Sequence, residues 1–227
     1  MTLLFGTAGI PISAKATKTA GGITAVKELG LDALEIEFVR AIYLTEKSAK
    51  ECKEIASKNN IILSIHAPYF INLNSENPEI VKKSQWFIYQ SAKIGALAGA
   101  KCVVFHPGFY VKKTKEQAYF TIKKNLEEVV NKLKKENVAI HLCPETMGEK
   151  IKKVLGNGAL KNLHIHMHGV EYNKNGEHNH KTLENSEFPW IEILQVLKEN
   201  KVEGIIISES PNIELDAILM KKYYNDK

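Results

Sequence analysis

The sequence has few cysteines, and none of them stands at metal-binding or redox spacing. Its 227 residues contain three, Cys52, Cys102 and Cys143, which lie far apart and form no Cys-x-x-Cys motif. This spacing does not fit a disulfide framework or a thiolate zinc finger. The three thiols are therefore expected to be reduced and to lie in or near a core, as in a cytoplasmic protein.

Long apolar runs are also lacking. No stretch approaches the length of a membrane span, and residues 1–6 have too short an apolar run, without a basic flank, for a signal peptide. We therefore expect a cytoplasmic protein with no membrane partner. With 44% hydrophobic residues, the chain is long enough for a single barrel domain over residues 1–227. The net charge of +5, mostly from lysine, permits a polyanionic partner but does not require one.

Phosphate-binding glycine motifs are missing as well, since no GxGxxG or GxxxxGK[ST] follows a predicted strand. Instead, short apolar runs alternate with helical segments rich in Lys and Glu, a pattern that predicts βαβ units and a parallel sheet. Strands are predicted at residues 3–6, 33–39, 61–66, 101–106, 138–143, 163–167 and 204–208. Helices are predicted at residues 19–29, 47–58, 78–98, 115–136 and 189–200.

The histidines are concentrated in one region. Within Leu163–His168 they occupy every second position, which predicts a strand with three imidazoles on one face. His178 and His180 follow, so five of the eight histidines fall within residues 164–180. Neutral imidazole is a common metal ligand, and this region is therefore predicted to form one wall of a metal site.

Potential ligands also mark the carboxyl ends of five predicted strands: His66, His106, Glu145, His166 and Glu209. Five strands that direct such side chains to one point require a closed sheet, as in an α/β TIM (β/α)8 barrel. Only seven strands are predicted, however. The stretch between the fifth strand and the histidine strand is shorter than the thirty or so residues of a βα unit, so the sixth βα unit is missing from the sequence.

Five sequence stretches together resemble the motifs of endonuclease IV-type apurinic/apyrimidinic endonucleases, of the xylose isomerase-like TIM-barrel superfamily. They are HAPYFINL (66–73), VFHPG (104–108), PETMG (144–148), the histidine strand and SESP (208–211). The resemblance implies a zinc-dependent DNA-repair phosphodiesterase. Such an enzyme cuts double-stranded DNA 5′ to an abasic site by means of a metal-activated hydroxide.

The resemblance also implies roles for individual residues. Two or three Zn²⁺ ions, with Mn²⁺ as an alternative, would be held by His66, His106, Glu145, His166, His178, His180 and Glu209. Glu145 would bridge two metals and orient the hydroxide, and His178 stands where the family has an aspartate. The family's remaining ligands form an Asp-x-x-His pair, which has no counterpart between Met147 and Leu163.

Other residues have more than one interpretation. Tyr69 and Phe70 follow a ligand-bearing strand and would either wedge into a distorted duplex or pack at the barrel rim. Arg40 would contact phosphate or be solvated. Glu35 and Glu37 would face the barrel mouth or form a buried ion pair with a lysine.

Three histidines have no counterpart in the family motifs. His164 is expected to be a buried partner of the site, and His168 is a candidate substitute for a missing ligand. His141 is expected to be a hydrogen-bonded core residue.

Two alternatives to the nuclease remain open. One is a sugar isomerase or epimerase of the same superfamily, with one ion held mainly by carboxylates. The other is a non-catalytic metal- or DNA-binding relative. A monomer is expected in each case. We also predict that a segment of roughly thirty to sixty residues belongs between Gly148 and Gly158. The strands at 138–143 and 163–167 are then not directly paired.

Overall fold

Parallel strands and helices alternate along the chain. The structure is a computed structural model that describes residues 3–15, 18–110, 112–145, 157–173 and 176–226. The strands are β1 (Leu3–Ala8), β2 (Ala33–Glu37), β3 (Ile62–His66), β4 (Cys102–Phe105), β5 (His141–Pro144), β6 (Leu163–Met167), β7 (Gly169–Asn173), β8 (Gly176–Lys181) and β9 (Gly204–Ser208). The helices are α1 (Thr19–Glu28), α2 (Glu46–Asn59), α3 (Pro78–Ala98), α4 (Lys115–Lys135), α5 (Trp190–Glu199) and α6 (Glu214–Asp226).

The chain divides into two compact units. Unit 1 comprises residues 1–35, 56–62 and 148–227, and unit 2 comprises residues 36–55 and 63–147. The division passes through β2, so this strand contributes residues to both units.

In unit 1 the parallel strand order is β2-β1-β9-β6. Gly6 lies between Ala33 and Ile207 in the ladder, and a Cβ at Gly6 would collide with the carbonyl oxygen of Ala33. Glycine is therefore required where these strands approach. Ala33, Ile205 and Ile207 form a buried apolar cluster against which Leu4 and Ala8 pack.

In unit 2 the parallel order is β5-β4-β3-β2. Helix α3 starts at an Asn77 cap, whose side chain accepts a hydrogen bond from the Glu79 amide at 2.9 Å, and it ends at Gly99 with φ of 73°. Helix α4 has a capping box made by Thr114 and Gln117. The two helices contact each other, and the side-chain amide of Gln85 donates a hydrogen bond to the backbone carbonyl of Asn125 at 2.8 Å.

Two elements were not expected from the sequence. One is the antiparallel hairpin β7–β8, and the other is the last helix, α6. Phe5 of β1 packs against Tyr224 of α6, with ring centroids 5.5 Å apart. Helix α6 therefore covers part of the outer face of the unit 1 sheet.

The seven predicted strands are all present, and α3 has the predicted bounds. Among the described residues, β5 pairs only with β4 and β6 only with β9, as predicted for strands that are not neighbours. Most of the stretch in which a segment was predicted to be missing, residues 146–156, lies outside the described residues. In the part of the chain that the structure describes, no helix has the length and apolar character of a membrane span.

Candidate metal-binding sites

The histidine strand β6 directs two imidazoles at one carboxylate in unit 1. His166 Nε2 lies 2.7 Å from Glu35 Oε1, and His164 Nε2 lies 2.9 Å from Glu35 Oε2. The three side chains are also close enough to share a metal ion. His164 and His166 can both reach Glu35 because residues two apart on a strand point to the same face. The side chain of His164, which the sequence predicted to be a buried partner of the site, is 10% exposed.

Glu35 is fully buried, yet its pKa is lowered by the two imidazoles beside it. Burial alone would raise the pKa of its carboxyl, but the charge of His166 and the contacts from both imidazoles outweigh that effect. The pKa of Glu35 is therefore held well below its ordinary value.

The other edge of His166 faces a second carboxylate. His166 Nδ1 lies 3.4 Å from Glu209 Oε1, and Glu209 follows the end of β9. His166 pairs with Ile207 in the β6–β9 ladder, which brings the ends of the two strands side by side. Both residues were predicted to be metal ligands, and unit 1 brings them together.

A further group in unit 1 combines His168, His180 and Glu209. The rings of His168 and His180 stack with centroids 3.7 Å apart and planes inclined by 19°. His168 Nδ1 lies 3.5 Å from Glu209 Oε2, and His180 Nδ1 lies 3.0 Å from the Glu209 backbone oxygen. Hairpin β7–β8 makes this possible, since it pairs Val170 with His180 and so returns His180 to the end of β6.

In unit 2, three predicted ligands meet at the carboxyl ends of β3, β4 and β5. His106 Nε2 lies 2.9 Å from Glu145 Oε2, and His66 Nε2 lies 3.9 Å from the same oxygen. The two imidazole rings are 5.2 Å apart, edge to face. Glu37 adds a second carboxylate, 4.0 Å from His66 Nδ1.

The tautomer of His66 follows from its surroundings. Its Nδ1 lies 2.8 Å from the backbone oxygen of Ala67, which can only accept a hydrogen bond. Nδ1 therefore carries the proton, and the lone pair of Nε2 is on the side of Glu145. A neutral His66 in this form is ready to bind a metal through Nε2.

The loops after β3 and β4 are tied together. The side-chain amide of the buried Asn74 donates a hydrogen bond to the backbone carbonyl of Phe109 at 2.7 Å. The backbone amide of Leu73 donates to the backbone carbonyl of Pro107 at 2.9 Å. These bonds hold the exposed rings of Phe109 and Tyr110 beside the loop that follows His66. Sequence reasoning did not single out Phe109 and Tyr110, although aromatic residues directly after an FHPG motif are a usable signal.

The three predicted substrate-binding residues also lie in unit 2. Tyr69 and Phe70 are 45% and 38% exposed, and their rings are 5.9 Å apart. Phe70 also contacts Phe87 of α3, with centroids 4.9 Å apart. Arg40 is exposed. Tyr69 is therefore open to solvent, whereas Phe70 is anchored on a helix.

Two other histidines differ from the clusters. His178 is exposed, and its Nδ1 lies 2.7 Å from the side-chain amide nitrogen of Asn179, so it belongs to neither three-residue group of unit 1. His141 was expected in the core but is exposed. The reason is that β5 has only β4 as a neighbour among the described strands, so little packs around it.

The donor sets fit a borderline divalent metal. Each contains imidazole nitrogens with a carboxylate oxygen and no thiolate. This combination suits Zn²⁺ in a catalytic site better than it suits a hard ion, for which oxygen ligands predominate.

Comparisons with known proteins agree with the fold. A family model described as xylose isomerase-like TIM barrel matches residues 23–157. The uncharacterized protein MJ0133 of Methanocaldococcus jannaschii is 36% identical over 271 aligned positions, which cover 99% of this chain and 97% of that protein. Because this chain has only 227 residues, at least 44 of the 271 positions have no residue in it.

Proteins named as endonucleases match over shorter stretches. The probable endonuclease 4 of Mycoplasma genitalium is 35% identical over 88 residues, which are 39% of this chain and 29% of that protein. The chain thus spans less than a third of that relative.

Two solved structures are similar along almost the whole chain. Endonuclease IV from Thermus thermophilus has a TM-score of 0.66 and 16% identity, over 97% of this chain and all of that one. A D-tagatose 3-epimerase-like protein has a TM-score of 0.67 and 21% identity, over 97% and 96%. At these identities the likeness concerns the fold alone. Together with the family match over more than half of its residues, it shows that this chain belongs to the xylose isomerase-like TIM barrel family.

Proposed function

We propose that this chain is a zinc-dependent phosphodiesterase that cuts double-stranded DNA 5′ to abasic sites. The observation that carries the proposal is the set His66, His106 and Glu145 in unit 2. His106 Nε2 and His66 Nε2 lie 2.9 and 3.9 Å from the same carboxylate oxygen of Glu145, at the ends of three neighbouring strands. The partial endonuclease 4 relatives favour the same function.

Unit 1 would provide the remaining ligands. His166 and Glu209 are proposed for one ion, and His168 and His180 with Glu209 for another. In this proposal His168 takes the place of a ligand that the family supplies from the Asp-x-x-His pair. Two or three ions per chain would result.

The proposed roles follow from the chemistry of each group. Bound zinc supplies Lewis-acid stabilisation of a phosphate and lowers the pKa of water. His66 and His106 would bind a metal through ring nitrogens, and the Glu145 carboxylate would orient the attacking water at the phosphate. Tyr69, on the exposed edge of its loop, would occupy the gap that a missing base leaves. Arg40 and the lysines would neutralise DNA phosphates.

The number of histidines favours this proposal over a sugar isomerase or epimerase. An epimerase of this fold would hold one hard ion, for which carboxylates and water are the preferred ligands. Here His66, His106, His166, His168 and His180 all lie in groups with carboxylates. The exposed Tyr69 also suits a large substrate better than a sugar enclosed in a pocket.

An incision assay tests the proposal. A labelled duplex with one central abasic analogue is incubated with the purified chain, with a chelator, and with chelated protein reloaded with Zn²⁺. Metal content is counted by mass spectrometry on the same samples. Cleavage 5′ to the analogue that chelation abolishes and zinc restores, with two or three zinc ions per chain, is expected.

Three other results contradict the proposal. One Mn²⁺ per chain with turnover of a ketose and no incision identifies the isomerase. Tight binding of the abasic duplex without incision, at full zinc loading, identifies a non-catalytic relative. Cleavage that continues unchanged in the presence of the chelator shows that the reaction does not need a metal ion.

A further inference from the structure

We propose that Phe109 and Tyr110 form a stacking platform for a nucleobase that lies next to the abasic site in bound DNA. The inference rests on the nuclease function proposed above and adds a base-binding surface to it. Both residues follow directly after the VFHPG motif (104–108), and the motifs that resemble the endonuclease family assign no role to them.

The two residues are close along the chain to the ligand group of unit 2. His106 follows the end of β4, and its Nε2 lies 2.9 Å from Glu145 Oε2. Phe109 and Tyr110 come three and four residues after His106, and four residues span at most roughly 14 Å of backbone. When a DNA phosphate is held at His106 and Glu145, the neighbouring nucleotides are therefore within reach of this loop.

The backbone of the loop is held by one buried side chain. Asn74 is 0% exposed, and its amide nitrogen donates to the backbone carbonyls of Phe109 at 2.7 Å and Tyr110 at 3.4 Å. Its Oδ1 accepts a hydrogen bond from Lys113 Nζ at 3.0 Å. The backbone amide of Lys113 also donates to the Tyr110 carbonyl at 3.0 Å. These bonds fix the two consecutive residues that carry the rings.

Gly108 allows this loop to lie against the loop that follows β3. Its φ is 137°, a conformation that side chains disfavour, and a Cβ there would lie 2.5 Å from Asn72 Oδ1. The same Oδ1 accepts a hydrogen bond from the Asn74 backbone amide at 3.0 Å. Glycine at position 108 is therefore required for the approach that lets Asn74 reach Phe109 and Tyr110.

The two rings are exposed although their backbone is fixed. Phe109 is 65% exposed and Tyr110 is 57% exposed. Rings this exposed contribute little to folding, because apolar groups stabilise a protein when they are removed from water. On an ordered loop, however, they can bind a ligand with little further loss of conformational entropy. The loop is thus a preformed aromatic surface.

The charge around the rings favours a polyanionic ligand. Residues 106–126 contain five lysines and one acidic residue, Glu116. Lys112 and Lys115, which flank the rings on the α4 side, are exposed. Aromatic rings that stack on bases, next to lysines that neutralise phosphates, are the usual combination in nucleic-acid binding. DNA is therefore the ligand that matches both features of this loop.

A binding assay on the full chain tests the platform. The probe is a labelled duplex with one abasic analogue and a cleavage-resistant linkage on its 5′ side. Phe109→Ala and Tyr110→Ala should each bind roughly 5- to 100-fold more weakly, the loss of one stacking contact with a base. Because no charge is removed, the slope of log affinity against log salt should not change.

Matched variants separate stacking from a structural role. Tyr119→Ala removes a ring that is 61% exposed but lies on α4, and this variant should bind like the wild type. Phe109→Trp keeps an aromatic face and should retain the affinity. Phe109→Leu keeps an apolar side chain without that face and should bind as weakly as Phe109→Ala. Circular dichroism confirms that each variant is folded.

A scan of the DNA identifies the stacked base. In a series of duplexes, one further base is removed at each of three positions on either side of the analogue, on both strands. Removal of the stacked base should weaken binding by the wild type and have no additional effect on Phe109→Leu, since the two changes delete the same contact.

The outcomes separate the platform from the nuclease activity. Affinities of the Phe109 and Tyr110 variants equal to that of Tyr119→Ala overturn the inference, as does an altered salt slope or additive losses at every scanned base. If the alanine variants do not fold, Phe109→Leu and Phe109→Trp decide the same question. Coupling at one base without incision of a cleavable duplex leaves the platform standing and removes the nuclease assignment. Incision without coupling at any base does the reverse.

Discussion

The carboxylate of Glu35 and the imidazole of His166 lie 2.7 Å apart, although β1 and β9 separate their strands in the sheet of unit 1. In a flat sheet, three strand spacings would place β2 and β6 about 14 Å apart, with parallel side chains that could not meet. The sheet of unit 1 must therefore curl strongly, with both side chains on its concave face. This is the curvature of a barrel wall.

Replacement of His106 should remove a metal ion from unit 2. The variant His106→Ala deletes the imidazole whose Nε2 lies 2.9 Å from Glu145 Oε2. We expect one zinc equivalent fewer by mass spectrometry and a loss of incision of at least about 100-fold, the upper range for a lost metal ligand partner. His141→Ala is the matched control, because His141 is an exposed histidine of the same unit. Equal metal loss in both variants would contradict the assignment of His106.

Removal of Tyr69 should weaken recognition of the abasic site. Tyr69→Ala deletes an exposed ring and should reduce the preference for an abasic duplex over an intact one. Loss of one stacking contact between an aromatic side chain and a base corresponds to about 1–3 kcal/mol of binding free energy. Tyr119→Ala is the control, since Tyr119 is 61% exposed and lies edge to face on Phe120 at 5.5 Å, much as Tyr69 lies on Phe70. If the two variants bind alike in a fluorescence titration, Tyr69 has no special role.

Affinity for DNA should fall steeply with salt. Lysines that contact phosphates release counterions, so the logarithm of the affinity should decrease linearly with the logarithm of the salt concentration, with a slope of about −0.9 for each phosphate contact. Titrations between low and physiological salt measure the slope. An affinity that does not depend on salt would argue against DNA as the substrate.

Glu214 should stabilise the fold in a pH-dependent way. Its carboxylate accepts hydrogen bonds from the Ile12 and Ser13 amides, both at 2.8 Å. Burial raises the pKa of Glu214, but these backbone donors outweigh it and lower the pKa below its ordinary value. The stabilisation is therefore complete above the unfolded-state pKa, about 4.3, and is lost as the pH falls through the lower pKa of the folded state.

The variant Glu214→Gln tests this dependence. At pH 7 it should cost about 1–3 kcal/mol, and the difference from the wild type should shrink below about pH 4. Thermal unfolding monitored by circular dichroism at several pH values measures both quantities. A difference in stability between variant and wild type that is constant with pH would show that the charge of Glu214 does not contribute to stability.

Insertion of the corresponding segment of MJ0133 between Gly148 and Gly158 should stabilise the chain. The alignment with MJ0133 leaves at least 44 positions without a residue in the 227-residue chain, and we predict that most of them fall in this stretch. We expect a chimera that carries the corresponding segment to unfold at a higher temperature and to bind additional zinc. A glycine–serine insert of equal length controls for chain length. A chimera no more stable than this control would refute the prediction.

The sequence by itself determined the local structure and indicated the types of side chain that could bind a metal. The bounds of α3 were predicted correctly because Asn77, Pro78 and Gly99 are strong local signals at the helix ends. Strand β6 was predicted correctly because its alternation is strict over five residues. Hairpin β7–β8 was missed, since its strands form only by pairing with each other.

Only the tertiary structure decided which groups meet. Sequence reasoning left Glu35 between the barrel mouth and an ion pair with lysine, whereas the fold places its two oxygens on His164 and His166. It placed His141 in the core, whereas the strand is too poorly covered to bury it. The physical reason is the same in both cases. A strand pattern fixes which face a side chain takes, but the curvature of the sheet and the neighbours of the strand determine what lies opposite that face.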